Sequence, residues 1–391
     1  GTQDDNRYAI AADYLDYVGT QKHTQAQIQQ EFYKMACSYS VNVNPDNMNI
    51  TLTGLQSQMP QALALLEEVL NQSKGDKASY DQYVDLVLKG RDDAKKDQRT
   101  NFQYLVNYAM YGPHNGTRNV MSEEQLRQTN PQQLLSLLAG LKNFKHSVLY
   151  YGKLTPEELS KVLDAKHQTA KQLADVPKGK PYVRQQAAEN EVLIAPYDAK
   201  NIYMVMYHNE GLDWNPEQEG VVDLFNEYYG GGMNGIVFQE LREARGLAYS
   251  AAAYYVTPDK KGDKEFCQTY IITQNDKMMD AVNQFHVILN QMPASEAAFQ
   301  IAKDALTKQL ASQRTTKSGV LNAYIVAQRK GIDYDLNEKV YNALPAMKLQ
   351  DIVDFEQQHM ANKAYRYIIL GDEKELDMKA LEKIGPIKRL T

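Results

Sequence analysis

A stretch in the second half of the chain places an arginine and a tyrosine after a glycine-rich turn. Residues 230–249 read GGGMNGIVFQELREARGLAY. The three glycines predict a tight turn between two helical runs, because glycine enters left-handed geometry without steric cost. The second run is predicted to end near Gly246. Arg242 and Tyr249 lie seven residues apart. They share a helix face if the helix continues, whereas Tyr249 begins the next strand if the helix ends at Gly246.

The same stretch resembles the signature of the C-terminal, non-zinc half of the insulinase/pitrilysin family of zinc peptidases (family M16). The resemblance implies that Arg242 and Tyr249 face the substrate across a catalytic chamber, where their donors stabilise the oxyanion of peptide hydrolysis. It also implies that Gly230, Gly231 and Gly232 let the chain approach the substrate or a neighbouring half closely. Without the resemblance, Arg242 is interpreted as a surface salt-bridge residue and Tyr249 as a core or edge-strand tyrosine.

Composition and charge narrow the class of protein. The chain has 391 residues, which suggests two or three domains, and 43% of them are hydrophobic, as in soluble globular proteins. The net charge of −6 comes from interleaved charges of both signs, so a basic nucleic-acid-binding face is not expected. No apolar run is long enough to span a bilayer. Cys37 and Cys267 are interpreted as free thiols, which leaves the compartment open, with the periplasm or cell envelope as candidates.

Comparing the chain with itself indicates a tandem repeat. At an offset of 210, Tyr39 falls on Tyr249, and at an offset of 219, Gly152 falls on Gly371. A charged, turn-rich loop at 257–265 accounts for the nine-residue difference. The two copies are therefore predicted to fold alike.

Each copy contains the same series of elements. The predicted helices lie at 7–18, 24–36, 219–229, 234–246 and 295–313, and the predicted strands at 39–43, 48–53, 146–151, 191–195, 201–208, 248–256, 266–273 and 365–370. This grouping predicts an α+β fold of two tandem homologous domains, each an antiparallel-rich sheet covered by helices. The resemblance implies an M16 peptidase-like, LuxS/metallohydrolase-like fold.

The predicted domains are 1–175 and 191–391, joined by a linker at 176–190. The first copy lacks the two opening strands of the second copy. We therefore expect that the chain is cut from a longer polypeptide, or that another segment completes its first sheet.

The metal-binding motif of an active half of this family is absent. In the family, His-x-x-Glu-His on the first helix binds zinc and supplies the base. Aligning the turn at Gly19 with that of the family places the motif on Ile10, Asp13 and Tyr14, so both histidine ligands are missing. The closest two of the seven histidines are 21 residues apart in sequence, so only histidines brought together by folding could form a site. The sequence predicts that this chain binds no cofactor, and the resemblance implies zinc in a partner half.

One main interpretation follows, with two alternatives. The chain is interpreted as the substrate-binding, non-zinc half of an M16-type metallopeptidase, not catalytic alone. It would close over a zinc-bearing half, in the same polypeptide or a separate subunit, to cleave peptides. The alternatives are a catalytically inactive structural or chaperone-like core subunit, and a peptide-binding protein with an open sheet edge. Arg242 and Tyr249 favour the first, since a scaffold does not need them. In the first copy Phe32 replaces Arg242, although Tyr39 matches Tyr249.

Overall fold

The computed structural model describes residues 1–313 and 316–390, which form alternating groups of helices and strands. The helices are α1 (Arg7–Leu15), α2 (Gln25–Lys34), α3 (Met59–Gln72), α4 (Lys77–Ala94), α5 (Gln98–Tyr111), α6 (Glu123–Gln128), α7 (Pro131–Gly140), α8 (Pro156–Lys166), α9 (Glu219–Phe225), α10 (Ile236–Phe238), α11 (Met278–Asn290), α12 (Glu296–Ser312), α13 (Lys317–Lys330), α14 (Leu336–Ala343), α15 (Leu349–His359) and α16 (Met378–Ile384). The strands are β1 (Gly19–Thr20), β2 (Cys37–Val43), β3 (Met48–Gly54), β4 (Ser73–Lys74), β5 (Glu191–Pro196), β6 (Asn201–His208), β7 (Ser250–Val256), β8 (Phe266–Gln274), β9 (Arg366–Gly371) and β10 (Ile387–Arg389). The α+β class predicted from the sequence is confirmed.

The described residues divide into two units. Unit 1 comprises residues 1–96 and 113–182, and unit 2 comprises the described residues of 97–112 and 183–391. The units differ from the predicted domains at α5, which was predicted within the first domain and packs within unit 2. Among the described residues, no helix is both long and apolar enough to cross a membrane.

Unit 2 is built on a mixed sheet whose strands lie in the order β10-β5-β9-β6-β8-β7. β5 pairs in parallel with β9 and β10, and the other neighbouring pairs are antiparallel. β7 is therefore an edge strand. The predicted strands of the second copy are confirmed to within two residues at each end.

The central strands β5, β6 and β9 are buried on both faces of the sheet, which explains why they are apolar at most positions. Alternate residues point to opposite faces. On β6, Met204 and Met206 join the larger core with α9, α11, α12 and α15, whereas Val205 and Tyr207 face a second core. Helix α5 covers that second core with side chains such as Phe102. The apolar stripe of α5 thus explains its place in unit 2.

Unit 1 packs its helices around a single hairpin of regular length. β2 and β3 pair antiparallel over seven residues each, and the two-residue strands β1 and β4 pair with one another. Thr24 and Gln27 form a capping box that begins α2, which gives the helix its predicted start. The core contains apolar side chains from α1 to α4, α6 and α7.

The closing strand predicted at 146–151 in the first copy is wrong. Its counterpart β9 lies between β5 and β6 and pairs with both. In unit 1, residues 146–151 form no strand, although a bridge joins Phe144 to Ala174 just before them. Among the described residues no counterparts of β5 and β6 lie in unit 1, so the segment has no ladder to join.

Candidate functional site

The glycine turn joins two helices that both end in wider, π-helical turns. Helix α9 continues as the π-helical turn Asn226–Gly230, and α10 continues as Gln239–Glu243. Such turns are rare in proteins, and those that occur are often found at functional sites. The sequence predicted the two helices but offered no signal for this widening.

Two of the three glycines have separate structural reasons. A Cβ atom on Gly230 would lie 1.5 Å from the carbonyl oxygen of Ala253 in β7, so only glycine lets the helix end approach this strand. Gly232 has a φ of 66° with open space around it, so its conformation, not its surroundings, favours glycine. Gly230 therefore contributes to packing within unit 2.

Arg242 lies in the second π-helical turn, with its side chain half exposed. Its guanidinium carbon is 4.8 Å from the centre of the Phe238 ring, a cation–π contact that orients the group. Its Nε lies 3.9 Å from a carboxylate oxygen of Glu243, and both side chains are about half exposed. An ion pair this long and this hydrated contributes less than about 1 kcal/mol. The guanidinium thus keeps donors that can bind another molecule.

Between Arg242 and Tyr249 the helix ends and the chain turns towards the next strand, which is the second of the two arrangements that the sequence allowed. Gly246 has a φ of 58°, and its N–H donates to the Arg242 carbonyl oxygen at 3.0 Å. The N–H of Leu247 donates to the carbonyl of Leu241 at 2.8 Å. The helix therefore ends before Gly246, and Tyr249 leads into β7 as predicted for that case.

Tyr249 is held at its backbone and exposed at its ring. Its N–H donates to the carbonyl oxygen of Ile272 at 2.9 Å, and 56% of its surface is exposed. The Nε2 of Gln274 donates to the phenol oxygen at 3.0 Å. Because this hydrogen bond uses the oxygen as an acceptor, the phenol proton remains able to donate to a ligand. Tyr249 is not a core tyrosine.

The corresponding residues of the first copy are packed together instead. The rings of Phe32 and Tyr39 lie 4.9 Å apart, and Phe32 is 5% exposed. Burial raises the pKa of Tyr39 to about 12. The exposed arginine and tyrosine of the second copy thus differ in environment from the residues that the repeat aligns with them.

Ile10 and Tyr14, at the two histidine positions of the missing zinc motif, belong to the core of unit 1. Ile10 is 8% exposed and Tyr14 is fully buried, with its hydroxyl donating to the Asp76 carbonyl oxygen at 3.1 Å. The Tyr14 ring packs edge-on against Tyr80 at 5.1 Å. An isoleucine and a buried phenol, with Asp13 between them, do not fit a zinc ion. Among residues 1–313 and 316–390, no three His, Cys, Asp or Glu side chains are grouped as metal ligands.

Sequence reasoning missed the residues that orient the pair. Phe238 lies one helical turn before Arg242, and Gln274 lies 25 residues beyond Tyr249. The predicted strands at 248–256 and 266–273 could have indicated Gln274, which directly follows the second strand. Pairing them as a hairpin places the end of the second strand beside the start of the first, as β7 and β8 do.

Two family models match the sequence. The model described as Insulinase (Peptidase family M16) matches residues 13–123, and the model described as Peptidase M16 inactive domain matches residues 145–306, which include Arg242 and Tyr249. Together the two matches take in most of the chain. No curated protein matches it.

Solved structures of similar fold include peptidase-like proteins. The peptidase M16 inactive domain from Pseudomonas fluorescens is 15% identical, with a TM-score of 0.71, and the match covers 95% of this chain and 90% of that one. A mutant of the ferredoxin protease FusC, in complex with Arabidopsis ferredoxin, is 10% identical with a TM-score of 0.77. The periplasmic protease PqqL from Escherichia coli is 12% identical with a TM-score of 0.69. The match covers 95% of this chain but only 41% of FusC and of PqqL.

Proposed function

Because the chain belongs to the M16 family of insulinase-like peptidases, we propose that it is the substrate-binding, non-zinc half of an M16-type metallopeptidase. It closes over a zinc-bearing half, in the same polypeptide or in a separate subunit, and the pair cleaves peptides. The observation that carries this proposal is the contrast between the two copies. Ile10 and Tyr14, at the histidine positions of the first, are packed in a core, whereas Arg242 and Tyr249 of the second keep exposed donors.

The chemistry of the two side chains suits peptide hydrolysis. The carbonyl oxygen of a peptide gains negative charge when water attacks its carbon, and donors placed to meet that charge lower the barrier. The phenol of Tyr249 can donate its proton to the substrate, because Gln274 donates a hydrogen bond to the phenol oxygen and does not use that proton. The guanidinium of Arg242, oriented by Phe238, can bind a carbonyl oxygen of the substrate through its planar donors.

The zinc ion of this enzyme belongs to the partner half in this proposal, because Ile10, Asp13 and Tyr14 do not fit it. The substrate is a peptide or small protein. FusC is described as a ferredoxin protease and was crystallised with ferredoxin, which is consistent with this class. The periplasm is the proposed compartment, as for PqqL.

The test is to reconstitute the chain with a zinc-bearing half whose sequence contains His-x-x-Glu-His, and to measure peptide cleavage. Tyr249→Phe and Arg242→Ala should each lower kcat/KM by about 10²-fold, the loss expected for a donor to a developing oxyanion. Circular dichroism and Tm should stay unchanged, because both side chains are exposed.

Two nearby residues supply matched controls. Tyr254→Phe removes another exposed phenol from β7, and Arg245→Ala removes a neighbouring guanidinium that pairs with Glu240 at 3.3 Å. Both variants should cleave like the wild type. Unchanged cleavage by Tyr249→Phe and Arg242→Ala would remove the pair from the site.

A second candidate function is a catalytically inactive structural core subunit. The packed ring pair of Phe32 and Tyr39, which replaces the exposed pair in the first copy, is the observation that favours it. Complex formation with a zinc-bearing half without any stimulation of peptide cleavage would support this alternative.

A further inference from the structure

Two histidines that are far apart in sequence meet near the surface of unit 1. The Nε2 atoms of His146 and His167 lie 2.9 Å apart, and the two rings are nearly perpendicular at 86°. The sequence offered no sign of this contact, because 21 residues separate the two histidines and they share no helix.

The other ring nitrogen of each histidine is already committed as a donor. His146 Nδ1 lies 2.7 Å from the carbonyl oxygen of Phe144, which can only accept a hydrogen bond, so this nitrogen carries a proton. His167 Nδ1 lies 2.5 Å from Oε1 of Glu67, whose side chain is 14% exposed. A carboxylate likewise accepts, so His167 Nδ1 carries a proton as well.

This arrangement leaves the two Nε2 atoms, without other partners among the described contacts, 2.9 Å from one another. If both rings are neutral, each Nε2 presents a lone pair to the other, and these lone pairs repel. One metal ion bound by both nitrogens removes this repulsion. The two Nε2 atoms can therefore serve as neighbouring ligands of one metal ion.

The partners of the rings are those of metal-binding histidines. Imidazole ligands typically donate the second N–H to a carboxylate or a backbone carbonyl, which fixes the ring and raises its basicity. His167 has the carboxylate of Glu67 and His146 has the carbonyl of Phe144 in these roles. Glu67 is itself held by Asn71, whose Nδ2 donates to its other oxygen at 3.0 Å.

The spacing of the nitrogens indicates which metals suit the pair. Two ligands on metal–nitrogen bonds of about 2.05 Å lie about 2.9 Å apart when they subtend a right angle, and about 3.3 Å apart in a tetrahedron. The observed 2.9 Å fits neighbouring ligands of a tetragonal ion. Copper(II) and nickel(II) favour this geometry with nitrogen ligands.

We propose that His146 and His167 bind a divalent transition-metal ion through their Nε2 atoms, with copper(II) bound more tightly than nickel(II) or zinc(II). Water completes the coordination, since His146 is exposed. Glu67 is a positioning residue that holds the His167 ring. This site is distinct from the family's zinc motif, whose positions Ile10 and Tyr14 lie in the core.

The test is a calorimetric titration of the chelator-treated chain with copper(II), followed by electron paramagnetic resonance. One ion should bind per chain, with spectral splitting from two ring nitrogens. His146→Ala and His167→Ala should each weaken binding at least tenfold. Glu67→Gln, which leaves both rings in place, should weaken it about tenfold through loss of the carboxylate partner.

His23 provides a matched control. Its Nδ1 lies 2.8 Å from Oε1 of Glu68, on the same helix as Glu67. Among the described contacts, His23 is paired with this carboxylate and not with a second histidine. His23→Ala should leave copper(II) binding unchanged. Equal affinity in the wild type, His146→Ala and His167→Ala would overturn the proposal, as would a spectrum without ring-nitrogen splitting in a correctly folded wild type.

Discussion

The side-chain amide of Asn226 makes both backbone hydrogen bonds to Tyr255 that a neighbouring strand would make. Asn226 Nδ2 donates to the Tyr255 carbonyl oxygen at 2.9 Å, and the Tyr255 N–H donates to Asn226 Oδ1 at 2.8 Å. Tyr255 lies in β7, the edge strand, whose other side pairs with β8. The π-helical turn that carries Asn226 therefore protects an edge that would otherwise be open to another chain.

Replacing Asn226 should destabilise unit 2. Asn226→Ala leaves the N–H and the carbonyl of the buried Tyr255 without partners, and we expect a loss of about 1–3 kcal/mol in unfolding free energy. Asn226→Asp keeps the acceptor for the N–H but sets a second acceptor against the carbonyl, so it should also destabilise. Urea unfolding monitored by circular dichroism measures the loss. Asn49→Ala, at an exposed position of β3, is the control and should change stability by less than about 0.5 kcal/mol.

The glycine turn predicts an order of sensitivity to alanine. In Gly230→Ala the new Cβ meets the Ala253 carbonyl oxygen, so the strand or the helix end must shift, at a cost of about 3 kcal/mol or more. In Gly232→Ala there is space for the Cβ but the φ of 66° is unfavourable, which costs about 1–2 kcal/mol. Chemical denaturation of both variants tests this order. Equal losses would show that the close approach to Ala253 is relaxed in solution.

Much of unit 2 could be predicted because its central strands are apolar on both faces. The strand at 201–208 was predicted with the bounds of β6, since a continuous apolar run bounded by polar residues has few other interpretations. Ser295 was predicted to begin a helix, and its hydroxyl oxygen accepts from the Ala298 N–H at 3.3 Å. These features depend on local sequence alone.

Features that depend on distant neighbours could not be predicted. Residues 146–151 have the composition of a strand, but a strand also needs partners, and the described part of unit 1 offers it none. Helix α5 follows α4 in sequence, yet its apolar face packs on the sheet of unit 2. The contact between His146 and His167 arises only from folding. The predicted roles of Arg242 and Tyr249 remain a prediction that activity measurements must test.

A buried carboxyl group predicts how stability depends on pH. Glu356 is fully buried, and among the described residues no donor reaches its Oε1. Burial raises its pKa from 4.5 to about 7. The folded state therefore holds a proton that the unfolded chain loses, so the stability that this group contributes is complete below pH 4.5 and is lost as the pH rises through about 7.

Glu356→Gln should remove this dependence, because the amide has no proton to lose. We expect the variant to be more stable than the wild type by about 1–3 kcal/mol at pH 8, with a much smaller gain at pH 5. Urea unfolding at the two pH values measures the difference. Glu382→Gln, at an exposed position of α16, should leave the difference between the two pH values as in the wild type. A gain at pH 5 as large as that at pH 8 would contradict the assignment to Glu356.

The hydrogen bond from Gln274 to Tyr249 predicts a graded effect on peptide cleavage in the reconstituted enzyme. Gln274→Ala frees the phenol to rotate and should lower kcat by about threefold to tenfold, which corresponds to about 1 kcal/mol. Gln274→Glu should lower kcat further, because the carboxylate accepts the phenol proton and withdraws it from the substrate. Gln268→Ala, on the same strand, is the control.

A double-mutant cycle distinguishes this positioning role from a general change in structure. In the Tyr249→Phe background there is no phenol proton to direct, so Gln274→Glu should have no further effect on kcat. If the loss of kcat caused by Gln274→Glu disappears in that background, Gln274 acts through Tyr249. If the same loss appears with and without the phenol, Gln274 acts on cleavage by another route, and its hydrogen bond to Tyr249 has no part in catalysis.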